Sequence, residues 1–232
     1  MRIVVHGATG AQGSPIVVAL AKAGHEVAAL SRHPQAVLEG ATPVAATLDD
    51  QSSLADAYEG ADVVFVHLPM PADPDAPGRW AGAVIGAVAA AGVGRVVLSS
   101  SGASLEESGP DPMLVARLSG MRRFHEGLTE VADSVVVLAP RLFLENLLLP
   151  FVSGPRLAEG VLAYPLAADK PISWTSHLDV AEAVVVAVDS DIPAGVYDIG
   201  PAGPLTGVEV AADIGRGLGR TVTYVAITPE EL

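Results

Sequence analysis

Three evenly spaced glycines follow the first apolar run of the chain. Residues 3–5 (IVV) lead directly into residues 6–13 (HGATGAQG), where the glycines are three residues apart. A helix that opens behind such a loop directs free backbone N–H groups and a partial positive charge at an anion. Gly7 would permit the turn, Gly10 would admit a phosphate, and Gly13 would allow close helix–strand packing. The motif predicts a pyrophosphate site, the alternative being a glycine-rich turn that binds nothing.

An arginine follows the second apolar run, at the position that selects between the two nicotinamide cofactors. Residues 27–30 are followed by Ser31, Arg32, His33 and Pro34, with no carboxylate. An acidic residue there holds the ribose of NAD, whereas an arginine accommodates the 2′-phosphate of NADP. A guanidinium also matches the geometry of a phosphate monoester. The sequence therefore predicts NADP(H) rather than NAD(H), unless Arg32 is an ordinary surface arginine.

Apolar runs that alternate with helical patterns position these residues. The runs are continuous, as in strands buried on both faces, and lie at residues 3–5, 27–30, 63–68, 96–98 and 135–138. Helical patterns lie between them, at residues 15–23, 52–58, 81–91 and 114–131. This alternation predicts an α/β protein, a doubly wound parallel sheet of the Rossmann kind with right-handed crossovers.

The second part of the chain has a weaker pattern. Residues 153–171 are weakly periodic and are interpreted as a substrate-side insertion, and residues 69–77 as a proline-rich loop. A helix opened by Asp179, a strand at 195–199, a helix at 208–218 and a strand at 222–225 follow. We predict an NAD(P)-binding Rossmann core at residues 1–146. Residues 147–232 would be a small C-terminal region, partly substrate-binding and partly returning to the sheet, within one compact unit.

Composition excludes several classes of partner. The chain has 232 residues, a net charge of −14 and no cysteine. An acidic surface repels phosphate backbones and anionic membranes, so neither nucleic acid nor a membrane is an expected partner. Disulfides, thiolate catalysis and zinc–thiolate sites are excluded, and no metal site is predicted. The first strand begins within two residues of Met1, leaving no room for a signal peptide, so a cytoplasmic protein is expected. The sequence neither predicts nor excludes a homodimer.

Several stretches together resemble the NmrA-like family, an atypical branch of the short-chain dehydrogenase/reductase superfamily. They are GATGAQG at 7–13, ALSR at 29–32, AGVGRVVLSSSGAS at 91–104, FLEN at 143–146, SWTSHLDVAEA at 173–183 and residues 197–225. The resemblance implies a Rossmann domain with a small C-terminal substrate region. It also implies one of the family's activities: NADPH-dependent quinone reduction, a related plant-type reduction, or regulation by a dinucleotide that is bound without turnover.

The chain departs from the family pattern at four places. Thr47 stands before Leu48, where family members often have an aspartate near the adenine, and Ala139-Pro140-Arg141 replaces the family's Arg-Pro. The chain stops at Leu232, where similar proteins usually continue. The superfamily's Tyr-x-x-x-Lys pair is also absent, because none of the four tyrosines has a lysine four residues later. On the helix that should carry the pair, its places hold Leu118 and Arg122.

The resemblance implies a reduced catalytic set. Ser101 has the spacing of the superfamily's carbonyl-binding serine, although capping of the strand–helix turn is an alternative. Arg122 and His125 would lie on the helix that faces the cofactor in the family, with Glu126 beside them. His125 could donate a proton near neutral pH, and Arg122 could hold a ribose or a substrate oxygen. A histidine on a helix is more often a surface or core residue.

The remaining site predictions follow the same resemblance. Phe143 would border the nicotinamide and Asn146 the substrate, although Asn146 could instead cap a helix. The predicted cofactor-binding residues are Gly7, Thr9, Gly10, Ala11, Gln12, Gly13, Arg32, Leu48, His67, Leu68, Pro69, Ser99 and Phe143.

The function predicted from these residues is NADPH-dependent reduction of a small hydrophobic quinone, enone or similar conjugated carbonyl. Such acceptors need little acid assistance, which suits a chain without the tyrosine–lysine pair. A non-catalytic dinucleotide sensor that regulates a protein partner is one alternative. An isomerase or epimerase-like biosynthetic enzyme that uses the same pocket is another.

Overall fold

The structure, a computed structural model, describes residues 1–34, 39–70, 73–102, 112–228 and 231, with the backbone alone at 112–119 and 155. Contacts divide the chain into two compact units. The first unit comprises Met1–Pro140 and His177–Ile199, and the second comprises Arg141–Ser176 and Gly200–Leu232. The domain division predicted at residues 146 and 147 stays a prediction.

The strands of the described residues are β1 (Arg2–Val5), β2 (Glu26–Ser31), β3 (Ala41–Ala45), β4 (Val63–Val66), β5 (Arg95–Ser99), β6 (Ser134–Pro140), β7 (Leu142–Phe143), β8 (Val161–Tyr164), β9 (Trp174–Thr175), β10 (Gly195–Ile199) and β11 (Thr223–Ala226). The helices are α1 (Gly13–Lys22), α2 (Gln51–Tyr58), α3 (Ala76–Ala91), α4 (Pro112–Thr129), α5 (Pro150–Ser153), α6 (Pro155–Ala158), α7 (His177–Asp189) and α8 (Gly207–Leu218), with a 3-10 helix at Leu144–Leu148.

The first unit contains a seven-stranded parallel sheet in the order β10-β6-β5-β4-β1-β2-β3. The chain runs outward from β1 to β3, then returns to the other side of β1 with β4. The strand order therefore reverses between β1 and β4, where parallel α/β sheets open a crevice at their carboxyl edge. The predicted doubly wound Rossmann fold is confirmed.

The core of this unit explains its continuous apolar strands. Val4, Val64 and Val96 are fully buried, and they pack in one cluster with residues of the helices α2, α3 and α4, such as Leu54 and Phe124. Helix α1 packs against α7. Because helices cover these strands, the residues inside the strands are almost all apolar.

Helix boundaries differ most from the prediction at α3 and α7. Helix α3 begins at Ala76, inside the stretch predicted as a loop, because Pro77 occupies a first-turn position where its missing N–H costs nothing. Helix α7 begins at His177, so Asp179 lies in its first turn and the prediction that Asp179 opens the helix is wrong.

The second unit has its own small core. Strand β11 pairs in parallel with β8, and β7 pairs in parallel with β9. Buried Leu162, Tyr164, Trp174 and Val210 pack together. Thr206 and Glu209 form a reciprocal capping box that starts α8.

Candidate functional site

The glycine loop lies at the carboxyl end of β1, beside the reversal point of the sheet. Ala8 N donates to the Leu30 carbonyl at 3.0 Å, which ties the loop to β2. Thr9, Gly10 and Ala11 are exposed at its crest. Gly10 N donates to the Gly7 carbonyl at 2.8 Å and Ser14 N to the Gly10 carbonyl at 3.0 Å, so these two N–H groups are engaged within the loop. Helix α1 begins directly behind the loop, so the positive end of its dipole favours an anion there.

At each glycine of the loop, a side chain would press against neighbouring atoms of the protein. Gly7 has a φ of +59°, and a Cβ there would lie 2.6 Å from His67 Nε2. A Cβ on Gly10 would lie 3.1 Å from the Gly7 carbonyl oxygen. A Cβ on Gly13 would collide with that same oxygen, so α1 can approach the loop only with glycine there. Gly7 and Gly13 are thus required by close packing inside the loop, and the exposed Gly10 leaves its crest without a side chain, which fits a pyrophosphate.

An open cleft of about 440 Å³ lies beyond the carboxyl ends of β2 and β3. Its lining consists of Arg32, His33, Ala45, Ala46, Thr47, Asp50 and Ser53. The side chains of Arg32 and His33 are exposed there. Asp50 accepts hydrogen bonds from Ser52 N at 3.0 Å and Ser53 N at 3.3 Å, so its carboxylate caps α2. The cleft thus offers two basic side chains to an anionic group. Leu48, predicted near the adenine, is half-buried and packs against the core of the first unit.

Buried imidazoles lie directly under the glycine loop. His6 Nε2 lies 2.5 Å from Tyr58 Oη. Burial, with the nearby His67, lowers the pKa of His6 to about 3. Burial, with the nearby His177, lowers the pKa of His67 to about 4. Burial also raises the pKa of Tyr58. These imidazoles are therefore neutral at physiological pH.

His67 lies at the exit of β4 with Leu68 and Pro69. Its Nε2 atom is buried and, within the described part of the chain, has no hydrogen-bond partner. A buried polar atom without a partner is uncommon and is satisfied when a ligand or water supplies one. Leu68 packs against the core, and Pro69 is exposed. Sequence reasoning singled out His67 but missed His6 and Tyr58, which looked like ordinary residues of a strand end and a helix.

The serine turn after β5 lies close to the glycine loop. Ser99 and Ser100 are fully buried, and Ser99 Oγ accepts from Ser101 N at 3.3 Å. Ser101 has a φ of +50°, which is uncommon outside glycine. Gln12 Nε2 donates to Ser101 Oγ at 3.4 Å. The fold thus brings together two predicted site residues that are distant in sequence. Residues 103–111 lie outside the described ones.

Helix α4 carries Arg122 and His125 one turn apart. Arg122 is exposed and His125 is half-buried. Burial lowers the pKa of His125, while the carboxylate of Glu126 raises it. His125 is therefore mostly neutral near pH 7, and its catalytic role stays a prediction. The side chain of Leu118 lies outside the described ones.

The second unit holds the other predicted residues, Phe143 and Asn146. Phe143 ends β7, and Asn146 lies inside the 3-10 helix that follows. Asn146 Nδ2 donates to Tyr164 Oη at 3.4 Å. The alternative that Asn146 caps a helix is wrong, because the cap positions before the 3-10 helix and α5 are Phe143 and Leu149.

The ring of Trp174 packs against Tyr164 of this pair. Tyr164 meets Trp174 edge-on, with 5.7 Å between ring centroids. Burial raises the pKa of Tyr164, and the hydrogen bond from Asn146 lowers it in part. Ser176 Oγ donates to Glu145 Oε1 at 2.7 Å. Sequence reasoning missed Tyr164 because it lies in the weakly periodic segment 153–171.

The described residues contain neither a metal-binding cluster nor a membrane-spanning helix. No group of three or more histidine, aspartate or glutamate side chains could hold a metal ion there. Likewise, none of the helices in that part of the chain combines the length and apolar character that crossing a membrane requires.

A parallel sheet with a switch point, a glycine loop at its carboxyl edge and a helix opening from that loop define the NAD(P)-binding Rossmann class. The chain matches the model of the NmrA-like family over residues 1–232, and it belongs to that family. The family resemblance stated from sequence is confirmed.

Relatives of this chain include named reductases. It is 30% identical to an NAD(P)H azoreductase of Xenophilus azovorans, covering 99% of this chain and 78% of that protein. It is 32% identical to a (4-alkanoyl-5-oxo-2,5-dihydrofuran-3-yl)methyl phosphate reductase of Streptomyces griseus, covering 96% of this chain and 76% of that protein. The family to which this chain belongs thus contains NAD(P)H-dependent reductases.

Solved structures share the fold. An NADPH-dependent quinone oxidoreductase from Escherichia coli, complexed with NADPH, superposes with a TM-score of 0.80 at 22% identity, over 98% of this chain and 79% of that one. A Citrobacter triphenylmethane reductase, complexed with NADP(H), gives 0.83 at 18% identity, over 100% of this chain and 81% of that one. At these identities the likeness shows the fold alone.

Proposed function

We propose that this protein is an NADPH-dependent reductase of a quinone, an enone or a similar conjugated carbonyl. The observation that carries the proposal is the tightly packed glycine loop of residues 7–13 together with the cleft lined by Arg32, both at the carboxyl edge of one parallel sheet. The reductase names of relatives that align with nearly the whole chain support it.

The proposed dinucleotide site uses residues from several strand ends. At the crest of the loop, Gly10 would admit the pyrophosphate because it has no side chain, and the backbone N–H groups of Thr9 and Ala11 would donate to it. Gln12 is 6% exposed, and its Oε1 has no hydrogen-bond partner within the described residues, so this oxygen could accept a hydrogen bond from a bound dinucleotide. His67 Nε2 is similarly placed under the loop. When bound, the nicotinamide group supplies a hydride.

Arg32 supports NADP(H) as the cofactor. Its exposed guanidinium lines the cleft after β2 together with His33. A 2′-phosphate would gain a charge-assisted hydrogen bond from Arg32 there. The carboxylate of Asp50, which also lines the cleft, already accepts hydrogen bonds from two N–H groups of α2 and so opposes a bound phosphate less.

The missing tyrosine–lysine pair limits the chemistry. The sequence of α4, Pro112–Thr129, contains neither residue. Ser101, held near the glycine loop by Gln12, would hydrogen-bond the acceptor oxygen, and His125 or Arg122 would assist nearby. A conjugated acceptor delocalises the incoming charge, so these weak donors suffice, whereas alcohol oxidation would need a base.

A small hydrophobic substrate suits the second unit. Leu144, Leu148, Leu149 and Phe151 expose large apolar side chains within one short stretch, next to the segment of Asn146. Exposed apolar groups in such density mark binding surfaces. A flat aromatic or quinone-like molecule would bury them on binding.

The same absence of the tyrosine–lysine pair favours a second candidate, a dinucleotide sensor without turnover.

One experiment distinguishes the reductase from the sensor. The protein is titrated with NADPH and NADH, and NADPH oxidation is then followed against a panel of quinones and enones, with secondary alcohols and NADP⁺ as the control reaction. Turnover of the conjugated acceptors supports the reductase. Tight NADPH binding without turnover on any acceptor supports the sensor.

A further inference from the structure

The cleft beyond β2 and β3 contains side chains of both charges. Arg32 and His33 line it from the bend where β2 ends, and Asp50 lines it from the start of α2. Within the described part of the chain, neither Arg32 nor Asp50 forms an ion pair. Both charges are therefore available to a ligand that enters this cleft.

The two carboxylate oxygens of Asp50 have different surroundings. Oδ1 accepts the hydrogen bonds from Ser52 N and Ser53 N that cap α2. Oδ2 accepts no hydrogen bond from any of the described residues. The Ser53 hydroxyl also donates to the Asp50 carbonyl oxygen at 2.9 Å, so backbone and side chain are both tied to the first turn of α2. The helix thus holds the carboxylate at the cleft and leaves one oxygen for another donor.

The two nicotinamide cofactors differ at one position of the adenosine ribose, where NADPH has a phosphate and NADH has a hydroxyl. A carboxylate repels the phosphate because their charges are alike, and it accepts a hydrogen bond from the hydroxyl. A guanidinium has the opposite preference, because it binds the phosphate. In Rossmann proteins that bind NAD, the carboxylate follows the second strand. In this chain Arg32 holds that place, and the cleft obtains its carboxylate from α2 instead.

We propose that Asp50 is a specificity-determining residue: its Oδ2 accepts a hydrogen bond from the ribose 2′-hydroxyl of NADH, and its charge restrains the binding of NADPH. The inference rests on the dinucleotide site of the proposed function and adds to it a determinant that opposes Arg32. The preference between the cofactors is the difference between these two effects. Because the capping hydrogen bonds at Oδ1 attenuate the charge of Asp50, the preference stays with NADPH. Both residues belong to the first unit, so that unit alone makes the discrimination.

Removing the charge while keeping the helix cap tests this role. Asp50→Ser replaces the carboxylate with a hydroxyl, and serine caps helices about as well as aspartate does. The dissociation constant of NADPH should fall about threefold or more, because a like charge is lost. That of NADH should rise about three- to tenfold, as loss of one hydrogen bond does. Shifts in the same direction for both cofactors would overturn the proposal, because a structural change in α2 acts on both alike, and so would an unchanged affinity for NADH.

A matched variant controls for net charge. Asp56→Ser makes the same substitution at an exposed position of the same helix, outside the lining of the cleft. Because solvent and salt screen so exposed a charge, it should change either affinity by less than about twofold. Shifts as large as those of Asp50→Ser would contradict the assignment, since net charge alone would then explain them.

A second variant separates the charge of Asp50 from its hydrogen bond. Asp50→Asn keeps the cap and an acceptor oxygen but removes the charge. It should tighten NADPH as Asp50→Ser does and weaken NADH less than Asp50→Ser does. A loss of NADH affinity larger than that of Asp50→Ser would contradict the hydrogen bond to the 2′-hydroxyl.

Nucleotide fragments confine the measurement to the adenosine half of the cofactor. Adenosine 2′,5′-bisphosphate differs from AMP only in its 2′-phosphate, and neither carries a nicotinamide. Calorimetric titration of both fragments should show the same opposite shifts in Asp50→Ser, and shifts of one sign would overturn the proposal. Because these titrations involve no turnover, a wild type that binds both dinucleotides but reduces no acceptor would refute only the reductase function. A wild type that binds neither dinucleotide would overturn both proposals.

Discussion

The buried histidines should make the protein unusually sensitive to mild acid. His6 and His67 have folded-state pKa values of about 3 and about 4, below the ordinary value of 6.5. Below pH 6.5 the unfolded chain binds a proton on each imidazole, while the folded protein does not until the pH approaches these lower values. Stability is therefore fully present above 6.5 and is lost as the pH falls toward 4 and then 3.

The magnitude follows from the size of the shifts. Each imidazole that stays neutral in the folded state removes about 1.4 kcal/mol of unfolding free energy per pH unit below its unfolded pKa. Between pH 6.5 and about pH 5 this is about 2 kcal/mol for each histidine and about 4 kcal/mol for the pair. That is a large share of the free energy of unfolding of a typical domain, which is roughly 5–15 kcal/mol.

Urea denaturation near pH 7.5 and near pH 5 measures this loss. The variant His67→Asn should lose about 2 kcal/mol less than the wild type between the two conditions, whatever its stability at the higher pH. His33→Asn removes an exposed histidine and should lose as much as the wild type. If His67→Asn and the wild type lost the same unfolding free energy, the neutral, buried state assigned to His67 would be refuted.

Three further predictions concern the proposed site. Arg32→Ala should weaken NADPH by about 1.5–3 kcal/mol in a binding titration and leave NADH nearly unchanged, because one charged hydrogen bond is lost; equal losses would make Arg32 structural. Gly10→Val should abolish dinucleotide binding while circular dichroism shows a folded protein, because its side chain occupies the pyrophosphate space; retained affinity would put the phosphate elsewhere. Ser101→Ala and His125→Ala should each lower kcat/KM roughly tenfold or more with NADPH affinity preserved, and efficient oxidation of secondary alcohols by the wild type would point to an unrecognised base.

Much of the fold was predictable because its signals are local. A buried strand needs a run of apolar residues, and a loop that turns sharply into a helix needs glycine. Gly7 with its φ of +59° and Gly13 under the Gly7 carbonyl show that the motif has the geometry expected of it. Arg32 was likewise identifiable from its position immediately after β2.

The weaker elements were not predictable for an equally local reason. Strand β8 is four residues long and pairs with β11, which follows it by about sixty positions in the chain. So short a run carries too few residues for its periodicity to stand out. The start of α3 likewise resembles a loop in the sequence, because it contains Pro77. In the structure Pro77 lies in the first turn of the helix, where proline is tolerated.

The sequence by itself determined the class of the protein: alternating strands and helices, the glycine loop and the arginine at the second strand end. Only the tertiary structure decided which side chains meet. Gln12 reaches Ser101, His6 lies against Tyr58, and Asn146 donates to Tyr164. These partners belong to different elements, so sheet order and register bring them together. Burial then sets their pKa values, and burial is a property of the packed fold rather than of any local pattern.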